Sequence, residues 1–147
     1  MSSSHDELRK LALGTIRLVQ EFKKAQELRT EVDRITFEIL MMVKNRGRIR
    51  PSDIANELHF NPSSITRRIQ ALKQSGHISV TSDPADLRSS MISISLTGEE
   101  ELLKFLDKSA YGLERILEQW DEGDIKQFAD LLCRYTDTMK DWRLNNL

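Results

Sequence analysis

Arg67 and Gln70 lie three residues apart in the stretch HFNPSSITRRIQALKQSG, which runs from His59 to Gly76. Both side chains can form paired hydrogen bonds to base edges, arginine to O6 and N7 of guanine, glutamine to N6 and N7 of adenine. Thr66 adds a short hydrogen-bonding group beside them. Ser63 and Ser64, at the start of the same stretch, suit phosphate oxygens, contacts that fix register without reading sequence. Further along, Arg88 fits a narrow minor groove, where arginine responds to width and potential. Arg68 completes the set, with two roles open to it: contact with DNA, or pairing with a nearby acid. The chemistry on offer is recognition of a polyanion, not bond breaking.

Such side chains need a rigid support, and the stretch supplies one. Asn61 is a strong N-cap and Pro62 follows at the first helical position, where its missing N–H costs nothing. Ile65, Ile69 and Leu72 make one narrow apolar stripe. Ser63, Thr66, Arg67, Gln70 and Gln74 face the other way, and Gly76 fits the C′ stop. Arg68 lies about 60° off the buried stripe, hence its two roles.

The flanking segments complete a recognisable order. Pro51 opens a short helix in which Asp53 favours the positive end and Ile54, Ala55 and Leu58 face inward. His59-Phe60 is a tight connection, so the two short helices form a helix-turn-helix. HISVTS and MISISL then alternate apolar residues with serine or threonine, the period of a half-buried hairpin. Between them SDPADLRSS predicts a long loop, with Arg88 near its return limb. A hairpin in this place is a wing.

Four further helices are predicted around this unit. The first spans about Asp6 to Leu28, with Ser4 and Glu7 as a capping box. The second runs from about Asp33 to Asn45, with Thr30 near its cap and Gly47 at its end. After the wing, Thr97 and Glu100 predict the cap of a long helix to about Trp120. In it Leu103, Leu106, Ala110, Leu113, Leu117 and Trp120 keep a heptad spacing. The turn DEGD leads to a last helix carrying Phe128, Leu131, Tyr135, Met139 and Trp142. The first and the last two helices carry more apolar surface than one small chain can cover, which predicts an intersubunit bundle.

Composition bounds the reading. The 147 residues carry a net charge of −1, so the total gives no hint of nucleic acid. The distribution does. From Lys44 to Arg88 there are eight bases against four acids, whereas from Thr97 to Asp130 there are ten acids against four bases. A basic middle joined to an acidic tail marks a polyanion-binding face. Cys133 is the single cysteine, which excludes an internal disulfide and fits a reducing cytoplasm. No apolar run approaches the roughly 18 residues of a membrane span, and MSSSHDELRK has no signal-like core.

Catalysis finds little support. His5, His59 and His77 share no metal-binding spacing, and neither a phosphate-cradling glycine loop nor a nucleophile elbow occurs. No cofactor or metal is expected. His77 reads as a packed or partly exposed residue, Cys133 as core or interface packing. Met41 and Met42, with Trp120 and Trp142, read as core.

The order of helices, helix-turn-helix and wing, read with SSITRRIQALKQSG, DPADLRS at the wing tip and the LT opening the long helix, resembles the MarR family of bacterial transcription regulators. The resemblance covers nearly the whole chain. It implies a mainly α fold with a small β-hairpin wing: a winged helix-turn-helix whose N- and C-terminal helices build a dimerisation bundle. Residues 1–30 and 97–147 would form the dimerisation region and residues 31–96 the DNA-binding region of a single intertwined domain. The implied function is a homodimeric repressor on a pseudo-palindromic double-stranded operator, released by a small aromatic or anionic effector. Three positions depart from the family's usual pattern. Val80 stands where an arginine is common after the recognition helix, Leu87 replaces the first wing arginine, and Glu100 stands where LT-x-x-G has glycine. The first two lower the charge of the wing.

A second reading is a winged-helix adaptor that meets an acidic protein surface and does not read DNA. Its helix would more often show an apolar anchor on the face that here carries Ser63, Thr66, Arg67 and Gln70.

Overall fold

The computed structural model describes residues 4–27 and 34–147. The chain divides into two compact units, residues 1–98 and 99–147.

In the first unit, α1 (His5–Glu27) starts where expected, with the Glu7 N–H donated to Ser4 Oγ at 3.3 Å. Its stripe, including Leu8, Leu11, Leu18 and Phe22, is exposed. The predicted end at Leu28, like the Thr30 cap and Asp33 start of the next helix, lies outside the described residues. Helix α2 (Arg34–Arg46) buries Ile39, Leu40 and Val43. Gly47 ends it with φ of 75°, its N–H donated to Val43 O at 2.9 Å. That left-handed conformation suits a residue without Cβ.

Helices α3 (Pro51–Leu58) and α4 (Pro62–Gln74) form the predicted helix-turn-helix. His59 makes the corner in the left-handed region, φ 55°, and the Phe60 N–H reaches back to Ala55 O at 3.1 Å. Ile54 and Ala55 of α3 and Ile65, Ile69 and Leu72 of α4 are buried. Strands β1 (Ile78–Asp83) and β2 (Asp86–Ile94) pair antiparallel, with Ile78 opposite Ile94 and Val80 opposite Ile92. Ile49 joins them through a bridge to Ile92, its N–H and C=O both bonded at 3.0 and 2.8 Å. A two-stranded hairpin is marginal alone. Each fully buried isoleucine stabilises by about 1.5–3 kcal/mol, so the packing of Ile49, Ile78 and Ile92 with the helices holds the wing.

Two expectations here are corrected. The nine-residue loop SDPADLRSS does not exist as a loop, because β2 begins at Asp86 and only Pro84-Ala85 turn between the strands. Asp83 Oδ1 accepts the Ala85 N–H at 2.9 Å and Asp86 Oδ1 accepts the Arg88 N–H at 3.1 Å. Aspartate side chains thus close the turn, where composition alone suggested irregular chain. The long helix also starts earlier than Thr97. In α5 (Leu96–Ile116) the N-cap is Ser95, whose Oγ accepts the Gly98 N–H at 3.1 Å.

Helix α5 ends at Ile116, not Trp120, which lies in the turn before α6 (Glu122–Asn146). Asp121 caps α6 through the Gly123 N–H at 3.4 Å, and Trp120 packs on Phe128 with ring centroids 5.8 Å apart. The predicted seam of α5 is exposed at Leu103, Leu106 and Leu113, and α6 buries no residue. Met41 and Met42 are half-buried, but Trp120 and Trp142 are exposed, so the tryptophans are not core within one chain. Among the described residues no helix is long and apolar enough to cross a membrane.

Candidate nucleic-acid interface

Helix α4 is presented as its sequence dictates. Asn61 Oδ1 accepts both the Ser63 N–H, at 2.9 Å, and the Ser63 hydroxyl, at 2.6 Å. At the other end the His77 N–H reaches Leu72 O at 2.9 Å and the Gly76 N–H reaches Lys73 O at 3.1 Å, with Gly76 at φ 79°. That pair of bonds is a Schellman stop. With both ends fixed and one stripe buried, Thr66, Arg67 and Gln70 are exposed on the outer face.

Pro62 has no N–H and both donors of Ser63 serve the cap, while Ser64 is half-buried. The Thr66 hydroxyl donates to Pro62 O at 2.9 Å, which leaves it acceptor capacity for other contacts. Arg68 is half-buried, and both of its roles stay open. Arg67 and Gln70 stay exposed.

Arg88 lies on the wing, where the register slips. One step along β1 from Ser82 to Asp83 matches a step along β2 from Ser90 to Asp86, so Leu87, Arg88 and Ser89 bulge from the return strand. Asp86 holds the bulge from within, accepting the Arg88 N–H and, at 3.3 Å, the Ser89 hydroxyl. Bulges commonly re-aim a side chain, and this one presents Arg88 beside an exposed Leu87.

Two of the eight bases in the middle of the chain are neutralised. Arg46 at the end of α2 pairs with Glu57 of α3. Arg50 donates to Asp83 Oδ2 at 2.5 Å, and Arg48 approaches the Thr81 hydroxyl at 3.4 Å. Reading along the sequence did not single out Asp83, because Arg50 stands 33 positions away. A clue was present in DPAD, whose first aspartate precedes a proline turn. The Ala85 N–H and then the Arg50 guanidinium hold the Asp83 carboxyl below its ordinary value of 3.8, against the opposing effect of burial; the Arg48 charge adds to the lowering.

A carboxylate held below its ordinary value stabilises the fold at all pH above about 3.8, and that contribution fades as pH falls through the lowered value. Carbon NMR of the Asp83 carboxyl is expected to titrate below 3.8, and Arg50→Ala to raise the midpoint. A wild-type midpoint at or above 3.8 would contradict this geometry.

Residues 35–90 match the MarR family model, a span from α2 to the return strand of the wing. Over these residues the chain is similar to the MarR family. An uncharacterised helix-turn-helix transcriptional regulator of Bacillus subtilis, YxaD, is 26% identical over 103 residues, covering 70% of this chain and 72% of that protein. Among solved structures, RV1404 from Mycobacterium tuberculosis aligns with a TM-score of 0.65 at 18% identity, over 95% of this chain and 97% of its own. A MarR crystal structure gives 0.62 at 18% identity, over 99% and 98%, and YusO from Bacillus subtilis gives 0.61 at 21% identity, over 92% and 99%. The solved structures carry the winged-helix fold. The MarR-family match and the helix-turn-helix relative carry the class, a DNA-binding transcriptional regulator.

Proposed function

We propose that this protein is a cytoplasmic repressor that binds a pseudo-palindromic operator as a homodimer. The observation that carries the reading is the exposed face of α4, where Thr66, Arg67 and Gln70 stand opposite the buried Ile65, Ile69 and Leu72. Recognition helices place such a face in the major groove, and dimers repeat it one helical turn away. Arg88 on the wing supplies the minor-groove contact. An adaptor helix would need an apolar anchor, and the outer face of α4 has none, so the DNA reading is favoured.

The test is binding to the selected operator and to random duplex across a salt series. The logarithm of the binding constant is expected to fall linearly with the logarithm of salt, by about 0.9 per phosphate neutralised. Salt-independent binding would sink the DNA reading and revive the adaptor.

Dimerisation is supported by the exposed apolar stripes on α1, α5 and α6, which include Leu11 and Phe22, Leu106 and Leu113, Phe128 and Trp142. Residues 1–30 and 97–147 would supply the interface, residues 31–96 the DNA contact. Sedimentation is expected to show a dimer at micromolar concentration. A fully helical monomer would remove the two-half-site operator with it. The proposal extends, on the family resemblance, to release by a small aromatic or anionic effector, which phenolic acids that shift the melting temperature would support.

A further inference from the structure

We infer that Asp83 is a positioning residue of the wing, a carboxylate clamp that ties the hairpin turn to Arg50 and so sets where Arg88 meets DNA. The inference rests on the DNA-binding reading above. Asp83 is 7% exposed and is the one buried polar or charged residue among those described. Its two oxygens do different work. Oδ1 accepts the Ala85 N–H and closes the turn, while Oδ2 accepts the Arg50 guanidinium from the segment that leads into α3.

The surroundings make this contact a brace for the whole hairpin. Ile49 is fixed to Ile92 by two backbone hydrogen bonds, so Arg48 and Arg50 on either side of it share one face of an extended segment. They meet Thr81 and Asp83, which alternate in the same way along β1. The Ile49 bridge holds the middle of the wing, and the Arg50–Asp83 pair holds its tip. Immediately beyond that tip, Asp86 fixes the backbone of the bulge through the Arg88 N–H. Arg88 is therefore carried by a turn whose anchor is Asp83. The Arg50 guanidinium is committed to the same anchor, which sets it apart from the exposed Arg67.

Asp83→Asn tests the clamp, because asparagine keeps an acceptor for the Ala85 N–H and removes the charge facing Arg50. Base preference is read by selection from a randomised operator at one salt concentration, for wild type, Asp83→Asn, Arg88→Ala and the double variant. Asp83→Asn is expected to bind the cognate operator roughly fivefold more weakly. Its preference should flatten only at the flanking positions that Arg88→Ala also flattens, with the positions read by α4 unchanged. Added to Arg88→Ala, it should weaken binding by less than about twofold more, because the two act through one contact. Arg50→Lys, which can still donate to Asp83, should retain the flanking preference that Arg50→Gln loses.

A purely structural role predicts a different pattern: equal loss at every position and additive effects in the double variant. Either result overturns the clamp. If Asp83→Asn does not fold, Arg50→Gln carries the test, and a wild-type flanking preference in that variant overturns it as well. Wild-type protein without sequence preference, or Arg88→Ala without a flanking effect, overturns the DNA reading itself and the clamp with it. Intact wild-type and Arg88→Ala behaviour beside an unchanged Asp83→Asn overturns the clamp alone.

Discussion

Replacing Arg67 by alanine is expected to cost about 1–3 kcal/mol per half-site on the cognate operator and to relax preference at one base pair in each half-site. On the wheel of α4, Ile65, Ile69 and Leu72 are buried and Arg67 projects on the exposed side, next to Gln70. The helix cannot roll to hide it, because Asn61 caps one end and the Gly76 turn locks the other. A planar guanidinium held on a rigid helix can read two acceptors of one guanine. In a dimer both half-sites lose the contact, so the total effect reaches roughly thirtyfold to about twenty-thousandfold in affinity. Arg88→Ala should weaken binding less and alter preference only where the minor groove is narrow. The decisive measurement is selection from a randomised operator at fixed salt. If Arg67→Ala lowers all affinities equally and leaves base preference intact, Arg67 is a phosphate clamp and α4 does not sit in the groove as argued.

Gly98→Ala is the substitution expected to damage the fold most for the least added volume. An added Cβ would overlap the His77 carbonyl oxygen and lie 2.7 Å from Ile94 Cγ1. The obstacle is backbone, and that backbone is fixed. Ser95 donates its N–H to His77 O at 3.1 Å and its hydroxyl to Gly76 O at 2.5 Å, and accepts the Gly98 N–H. The end of α4, the end of the wing and the start of α5 thus share one knot of hydrogen bonds. Overpacking typically costs about 1–3 kcal/mol, and an immovable carbonyl puts this case at the upper end. Urea denaturation of the variant should show the lowered midpoint at an unchanged slope. Wild-type stability in Gly98→Ala would show that the junction is looser than described.

Glu100 is the departure from LT-x-x-G, whereas the steric demand falls on Gly98. Nothing local distinguishes the two positions. The demand arises because α5 starts against the carbonyl of His77, in the turn between α4 and β1. The choice of cap has a similar origin. Ser95 and Thr97 both carry hydroxyls before a helical run, and Ser95 wins because its hydroxyl also reaches the Gly76 carbonyl.

Local rules in the chain are enough to set the helix-turn-helix, the cap and stop of α4 and the exposed placing of Thr66, Arg67 and Gln70. Those features rest on interactions within four or five residues: the Asn61 cap, Pro62 at the first position, the i, i+4, i+7 stripe and the Gly76 turn. Hydrophobic period also settled the hairpin, since Ile78 and Ile92 alternate with polar neighbours and are buried. Tertiary structure alone decided how the wing is held. DPADLRSS has the composition of a loop, yet it forms a two-residue turn and a bulged strand, because Asp83 and Asp86 satisfy the turn's amides and Arg50 closes on Asp83 from 33 residues away. Likewise the half-burial of Arg68 and the commitment of Ser63 to its cap depend on partners that helical periodicity does not name. Local rules fix which way a side chain points from its own helix. Which distant group it meets is set by how the elements pack.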